Sequence, residues 1–216
     1  MKPQDAISRT LEEFKRNSRL KIVAISGPGE PLANDATFLT LEGIREENKD
    51  VHFCLSTNGI LLETNAHLLK DLGVESISVS MSAIHPHTSA KLYEWLHISG
   101  KTILGKEMGQ TIIAKQLAGI KQSLDLGMTV KVNTILIPEI NTDDVEDLAK
   151  QLTELGVQLQ NIVPLVATRT NNHLRIPTKD EVDDARCIAS KYIQQFMHCK
   201  QCRSDVVGIP GNDRIL

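Results

Sequence analysis

Short apolar runs closed by turn residues alternate along this chain with longer stretches whose apolar positions recur every three or four residues. Lys21–Ser26 (KIVAIS), Val51–Ser56 (VHFCLS), Ser76–Ser80 (SISVS), Thr129–Ile137 (TVKVNTILI) and Gln160–Val166 (QNIVPLV) have the length and β-branching of buried strands. Helical periodicity covers Pro3–Arg16, Asp35–Asn48, Glu63–Leu72, Glu107–Leu126, Thr142–Leu155 and Thr178–Phe196. The clearest is Thr142–Leu155. Asn141 or Thr142 can cap it, Asp143 and Asp144 suit the positive end of its dipole, and Gly156 ends it.

Strands that alternate with helices predict parallel βαβ units, so the expected fold class is α/β with a parallel sheet. The one wide gap between strands holds an insertion around His85–Gly105, rich in His and Gly. No low-complexity linker interrupts the rhythm, and a single domain over residues 1–216 is expected, with a tail from about 197 to 216. A parallel sheet carries its functional loops at the strand C-termini. Here these are Gly27–Asn34, Thr57–Ile60, Met81–Pro86, Pro138–Asn141 and Pro164–Asn172, the most distinctive stretches of the sequence.

Composition narrows the class. Of the 216 residues, 41% are hydrophobic and only 3% aromatic, so Leu, Ile, Val and Ala must build the core. Net charge is −3 and no block of Lys and Arg suggests nucleic acid. No apolar run approaches the roughly 18 residues of a membrane span. Residues 1–6 lack the apolar centre of a signal peptide, and the expected location is the cytoplasm. The cysteines are Cys54, Cys187, Cys199 and Cys202, which in that compartment read as free thiols or metal ligands rather than disulfides.

Several residues could carry chemistry. Gly27 and Gly29 permit close backbone approach to a ligand, and Glu30 offers a carboxylate suited to an ammonium group; a rigid turn with a solvated Glu is the plainer alternative. Cys54 lies within a strand and by that placement is a small core residue. Ser56, Thr57 and Asn58 at the strand end can bond a polar ligand, although Asn58-Gly59 equally makes a tight turn. Cys199 and Cys202 form a CxxC after His198, a pair that can grip one metal ion or one edge of an iron–sulfur cluster but is only half a zinc site; redox or inert thiols are the alternative. Cys187 reads as packing. His85 and His87 could bind metal or simply be solvated. Lys131 and Asn133 alternate with Val130 and Val132, so they share one strand face; if it lines a cavity, they are buried polar groups that need partners.

Five stretches, taken in order, carry a family resemblance: Ile25–Asn34 (ISGPGEPLAN), Cys54–Gly59 (CLSTNG), Val130–Pro138 (VKVNTILIP), Asn161–Leu165 (NIVPL) and His198–Arg203 (HCKQCR). The set resembles the NifB family of radical S-adenosylmethionine enzymes, from about Met1 to Arg214. The resemblance implies a partial (βα)6 TIM-like barrel. It implies S-adenosylmethionine cleaved by a 4Fe–4S cluster, and two further iron–sulfur clusters fused around a carbon from the cofactor's methyl group into the precursor of the nitrogenase metallocluster. Gly27, Gly29 and Glu30 would hold the methionine amino group, with Ser56, Asn58, Lys131 and Asn133 near the cofactor. Cys54, Cys199 and Cys202 would be ligands of substrate clusters. A reductant and cluster-donor or scaffold proteins would be partners.

One departure matters. The family carries a CxxxCxxC loop after its first strand, and no such motif occurs among these residues. The resemblance therefore implies that the first strand is missing, and that this chain does not cleave S-adenosylmethionine reductively. The alternative is a non-catalytic carrier of an iron–sulfur or metal cluster.

Overall fold

β-Branched runs leave their backbone groups unpaired until another strand supplies partners, and here they pair with one another in parallel. The computed structural model describes residues 1–27, 29–169, 171–197, 206–209 and 212–215. Its strands are β1 (Ile22–Ile25), β2 (His52–Thr57), β3 (Val74–Ser80), β4 (Leu96–Ile98), β5 (Lys101–Ile103), β6 (Thr129–Leu136), β7 (Leu159–Pro164), β8 (Gln194–Gln195), β9 (Val206–Ile209) and β10 (Asn212–Ile215). Its helices are α1 (Pro3–Arg16), α2 (Asp35–Glu47), α3 (Leu62–Asp71), α4 (Pro86–Leu92), α5 (Gly105–Asp125), α6 (Asp144–Glu154) and α7 (Lys179–Ser190), with a 3-10 turn at Pro31–Ala33.

Six strands form one parallel sheet in the order β1-β2-β3-β6-β7-β8. Each crossover steps to the next strand in the same direction, so right-handed connections lay the helices on one face and curl the sheet into a partial TIM-like barrel. The expected fold class holds. Phe53, Leu55, Ile77, Val79, Val130 and Val132 alternate toward the helices and are all but fully buried in one continuous core. The intervening residues point to the other face, where Ala24 is exposed and Cys54, Ser56, Lys131 and Asn133 are half-buried.

The insertion has structure of its own. After α4 the chain forms a β4–β5 hairpin, turned by Ser99 and Gly100 at φ 51° and 73°, the positive angles of a type I′ turn. Leu96, Met108 and Ile112 make a small apolar cluster separate from the main core. Helix α5 anchors the insertion on one side and α3 on the other. Its Gly109 lies against the Pro86 carbonyl, and a Cβ at Gly119 would sit 2.7 Å from the Leu62 Cβ.

Most element boundaries lie within two residues of the sequence expectation, and the departures at the last helix and at α6 have a visible cause. The last helix stops at Ser190 instead of reaching Phe196, because the N–H groups of Tyr192 and Ile193 return to the Ala189 carbonyl. Ile193 then enters the core, and Gln194–Gln195 pair with β7. Helix α6 starts at Asp144, and neither Asn141 nor Thr142 caps it. Asn141 instead accepts from the Ile137 N–H at 2.8 Å and donates to the Ser82 and Ile135 carbonyls at 2.7 and 2.8 Å. No helix of the described residues is long and apolar enough to cross a membrane.

Candidate functional site

Parallel pairing places partners side by side with their side chains on the same face, so the register reads directly as rows across the open face. The first row is Ala24–Cys54–Ser76–Thr129, the second Ser56–Ser78–Lys131–Leu159 and the third Ser80–Asn133–Asn161. Successive rows are about 7 Å apart along the strands. Ser56 and Lys131 thus lie in one row, Asn133 one row nearer the C-terminal rim and Cys54 one row deeper. Cys54 is half-buried on this face rather than packed in the helix-side core, which corrects its reading from strand placement alone.

The third row contains an unmet demand. Asn161 donates from Nδ2 to the Asn133 Oδ1 at 3.1 Å, while its own Oδ1 is buried and has no partner. A buried polar atom left unpaired costs free energy that a polar ligand on this face would recover. In the second row the Lys131 ammonium lies 4.9 Å from the Phe196 ring centroid, a cation–π contact that reaches across to the far edge of the sheet.

At the rim, Glu30 is held in one orientation. Its Oε1 accepts from the Leu32 N–H at 3.1 Å and the Thr57 hydroxyl at 2.7 Å, and its Oε2 accepts from the Asn58 N–H at 2.7 Å. Each carboxylate oxygen offers two lone pairs, so Oε2 keeps one for a further donor. Thr57, 3% exposed, is committed to this arrangement, since its oxygen also accepts from the Gly59 N–H at 3.0 Å. Gly27 and Gly29 are exposed beside Glu30, and Gly29 has φ +100°, a conformation that glycine adopts without strain. Glu30 and Asn58 line a cleft of about 280 Å³ together with Tyr93, Trp95 and His97 of the insertion. Burial pushes the Tyr93 phenol up, and its contact with Gln116 draws it partly back.

The sequence reading missed Gln116, which lines the same cleft with 2% exposure, and gave Asp144 only a helix-dipole role. Asp144 is not mainly a complement to the helix dipole. Its carboxylate accepts from the Ile84 and His85 N–H groups at 2.8 and 3.0 Å and from the Thr88 hydroxyl at 2.7 Å, tying the insertion to α6. Burial pushes this carboxyl up, but the bonds from His85, Thr88 and Ile84 outweigh it and hold it below the ordinary aspartate value. The His85 ring joins this anchor, 3.1 Å from Asp144 and stacked on His87 at 5.6 Å, while its side chain stays 41% exposed.

Of the cysteines, Cys187 is exposed on α7 rather than packed. Cys199 and Cys202, with His198, lie outside the described residues. Among the described residues no group of three His, Cys, Asp or Glu side chains is placed to hold a metal ion. The described residues include two cysteines, Cys54 and Cys187, too few for a three-thiolate catalytic cluster.

Comparison with known proteins decides the lineage. Residues 1–152 match the model of the radical SAM superfamily. The chain is 40% identical over 216 residues to the FeMo cofactor biosynthesis protein NifB of Methanocaldococcus jannaschii, covering 100% of this chain and 72% of that one. The chain belongs to the NifB family of the radical SAM superfamily. A NifB of Methanocaldococcus infernus is 38% identical, with 71% of its length covered. The Klebsiella pneumoniae NifB is 35% identical over 219 residues, and there this chain spans 47% of the relative. Among solved structures, Streptococcus suis SuiB bound to S-adenosylmethionine superposes on 90% of this chain and 42% of its own with a TM-score of 0.62 at 15% identity, a likeness of fold.

Proposed function

We propose that this NifB-family chain takes part in nitrogenase iron–molybdenum cofactor biosynthesis, binding S-adenosylmethionine at the rim of its open sheet face. The observation that carries the reading is Glu30, a carboxylate fixed by Thr57 and Asn58 with one Oε2 lone pair left over. Kinship over the full 216 residues with the Methanocaldococcus NifB supports the pathway. Glu30 takes the methionine ammonium, and Gly27 and Gly29 let the ligand approach the backbone. Ser56, Asn58, Lys131 and Asn133 offer polar contacts to the remainder, and Asn161 Oδ1 gains the donor it lacks. S-Adenosylmethionine, when bound, supplies the methyl carbon that the resemblance assigns to the fused cluster product.

The iron–sulfur substrates come to Cys54 on the open face and to Cys199 and Cys202. A reductant and a cluster donor or scaffold protein are the corresponding partners, in the cytoplasm. No CxxxCxxC motif for the catalytic 4Fe–4S cluster occurs among the 216 residues, so no reductive step is assigned to them. Glu30→Gln tests the binding site directly. By calorimetry, the substitution is expected to weaken S-adenosylmethionine binding about ten- to a hundredfold, the worth of a charge-assisted hydrogen bond. Unchanged affinity, or a wild type that does not bind, overturns the reading.

The cysteine set favours one further possibility, a cluster carrier without catalysis. It requires iron to follow the CxxC. Equal iron in the wild type and in Cys199→Ala/Cys202→Ala after anaerobic reconstitution defeats it.

A further inference from the structure

Helix α5 turns Met108, Ile112, Ile113 and Ile120 toward the interior, and Gln116 falls in the middle of that stripe. A buried amide is costly unless its N–H groups find acceptors. Gln116 Nε2 uses both, donating to the Asn58 carbonyl at 2.8 Å and the Ser80 carbonyl at 2.9 Å. The last β2–β3 pair is Thr57 with Val79, so beyond it this side chain ties the two strand ends together where the ladder has stopped. The turn itself lies against Gln116. Gly59 has φ +82°, and a Cβ there would come within 3.1 Å of the Gln116 Cγ. Asn58 in turn accepts from the Ile60 N–H through its side chain at 2.9 Å and donates its own N–H to Glu30.

We propose that Gln116 is the positioning residue that fixes the Asn58 backbone, so that Glu30 presents its free Oε2 lone pair to the ammonium group of the bound cofactor. The inference rests on the reading of Glu30 given above. Gln116 lines the same cleft, but its Nε2 hydrogens are spent on the Asn58 and Ser80 carbonyls, so it acts through Asn58 on Glu30. A strap of purely structural value would stabilise the rim without any link to Glu30, and the two roles separate experimentally.

Gln116→Met keeps the length of the side chain and removes both donors. Its first readout needs no cofactor. Amide hydrogen exchange at Asn58 is expected to speed about tenfold or more, whereas Phe53 and Leu55 in the body of β2 exchange as before. The second readout is S-adenosylmethionine binding by calorimetry, expected to weaken about tenfold in the wild-type background and to change little in Glu30→Gln. This non-additivity is the mark of residues that act as one unit. Equal losses in both backgrounds, or unchanged exchange at Asn58, overturn the proposal. Should Gln116→Met not fold, Gln116→Asn, one methylene too short to reach both carbonyls, is measured in the same way. A wild type that binds no S-adenosylmethionine sinks the reading of Glu30 and the ammonium role with it, while Asn58 exchange still decides whether Gln116 holds the turn.

Discussion

Asp144 shows how one side chain can be legible in type and illegible in use. Its position at the start of a helix and its negative charge were plain, but its partners lie in the loop that contains Ile84, His85 and Thr88, roughly sixty residues earlier in the chain. The carboxyl is held below its ordinary value, so its contribution to stability is complete above the unfolded aspartate value of about 3.9 and is lost as pH falls through the lower folded value. Asp144→Ala is expected to cost about 2–4 kcal/mol at pH 7, because it leaves buried donors unpaired. In urea titrations the gap between variant and wild type should close as the pH is taken below about 4; a gap independent of pH would contradict the assignment. Glu30 was read correctly as a rim carboxylate, but its fixed orientation depends on Thr57 and Asn58, which reach it only in the folded chain.

Helices and strands were largely visible as hydrophobic periodicity, and five of the six strands of the main sheet were expected near their observed bounds. The errors have common causes. Gln194–Gln195 carries no strand pattern, and pairs with β7 because the chain must bring Ile193 into the core. The β4–β5 hairpin was hidden because its Leu96 and Ile98 belong to a small cluster completed by α5, not to an alternating run. Helix α5 is where the packing is least forgiving. Gly119→Val would drive methyl groups into Leu62 and the Glu63 N–H on α3, whose nearest atoms stand 2.7 and 3.0 Å from a bare Cβ. A loss of about 1–3 kcal/mol, the usual cost of overpacking, is expected in chemical denaturation. A variant as stable as the wild type would mean that α3 can move aside.

Across the entire chain, the sheet order and the one-sided helices create an open polar face, which is where Cys54, Ser56, Lys131 and Asn133 become neighbours. Strand β1 ends the sheet with Ile22 63% exposed. The sequence holds four cysteines, at 54, 187, 199 and 202, with none of the spacing of a three-thiolate cluster loop. After anaerobic reconstitution with iron, sulfide and a strong reductant, this chain alone is expected to form no 5′-deoxyadenosine from S-adenosylmethionine. Product above the no-enzyme control would show that these residues do assemble a catalytic cluster.

What the residues determined alone was the alternation of strands and helices, the loops that would matter, and the family kinship, since periodicity, turn chemistry and motifs are all local in the chain. Only the tertiary structure decided that Cys54 faces the open side, that Asn161 has an oxygen without a partner, and that Gln116 and Asp144 serve distant loops. Those facts depend on register and on contacts between segments far apart in sequence, and a buried hydrogen bond exists only once both partners have been brought out of water together.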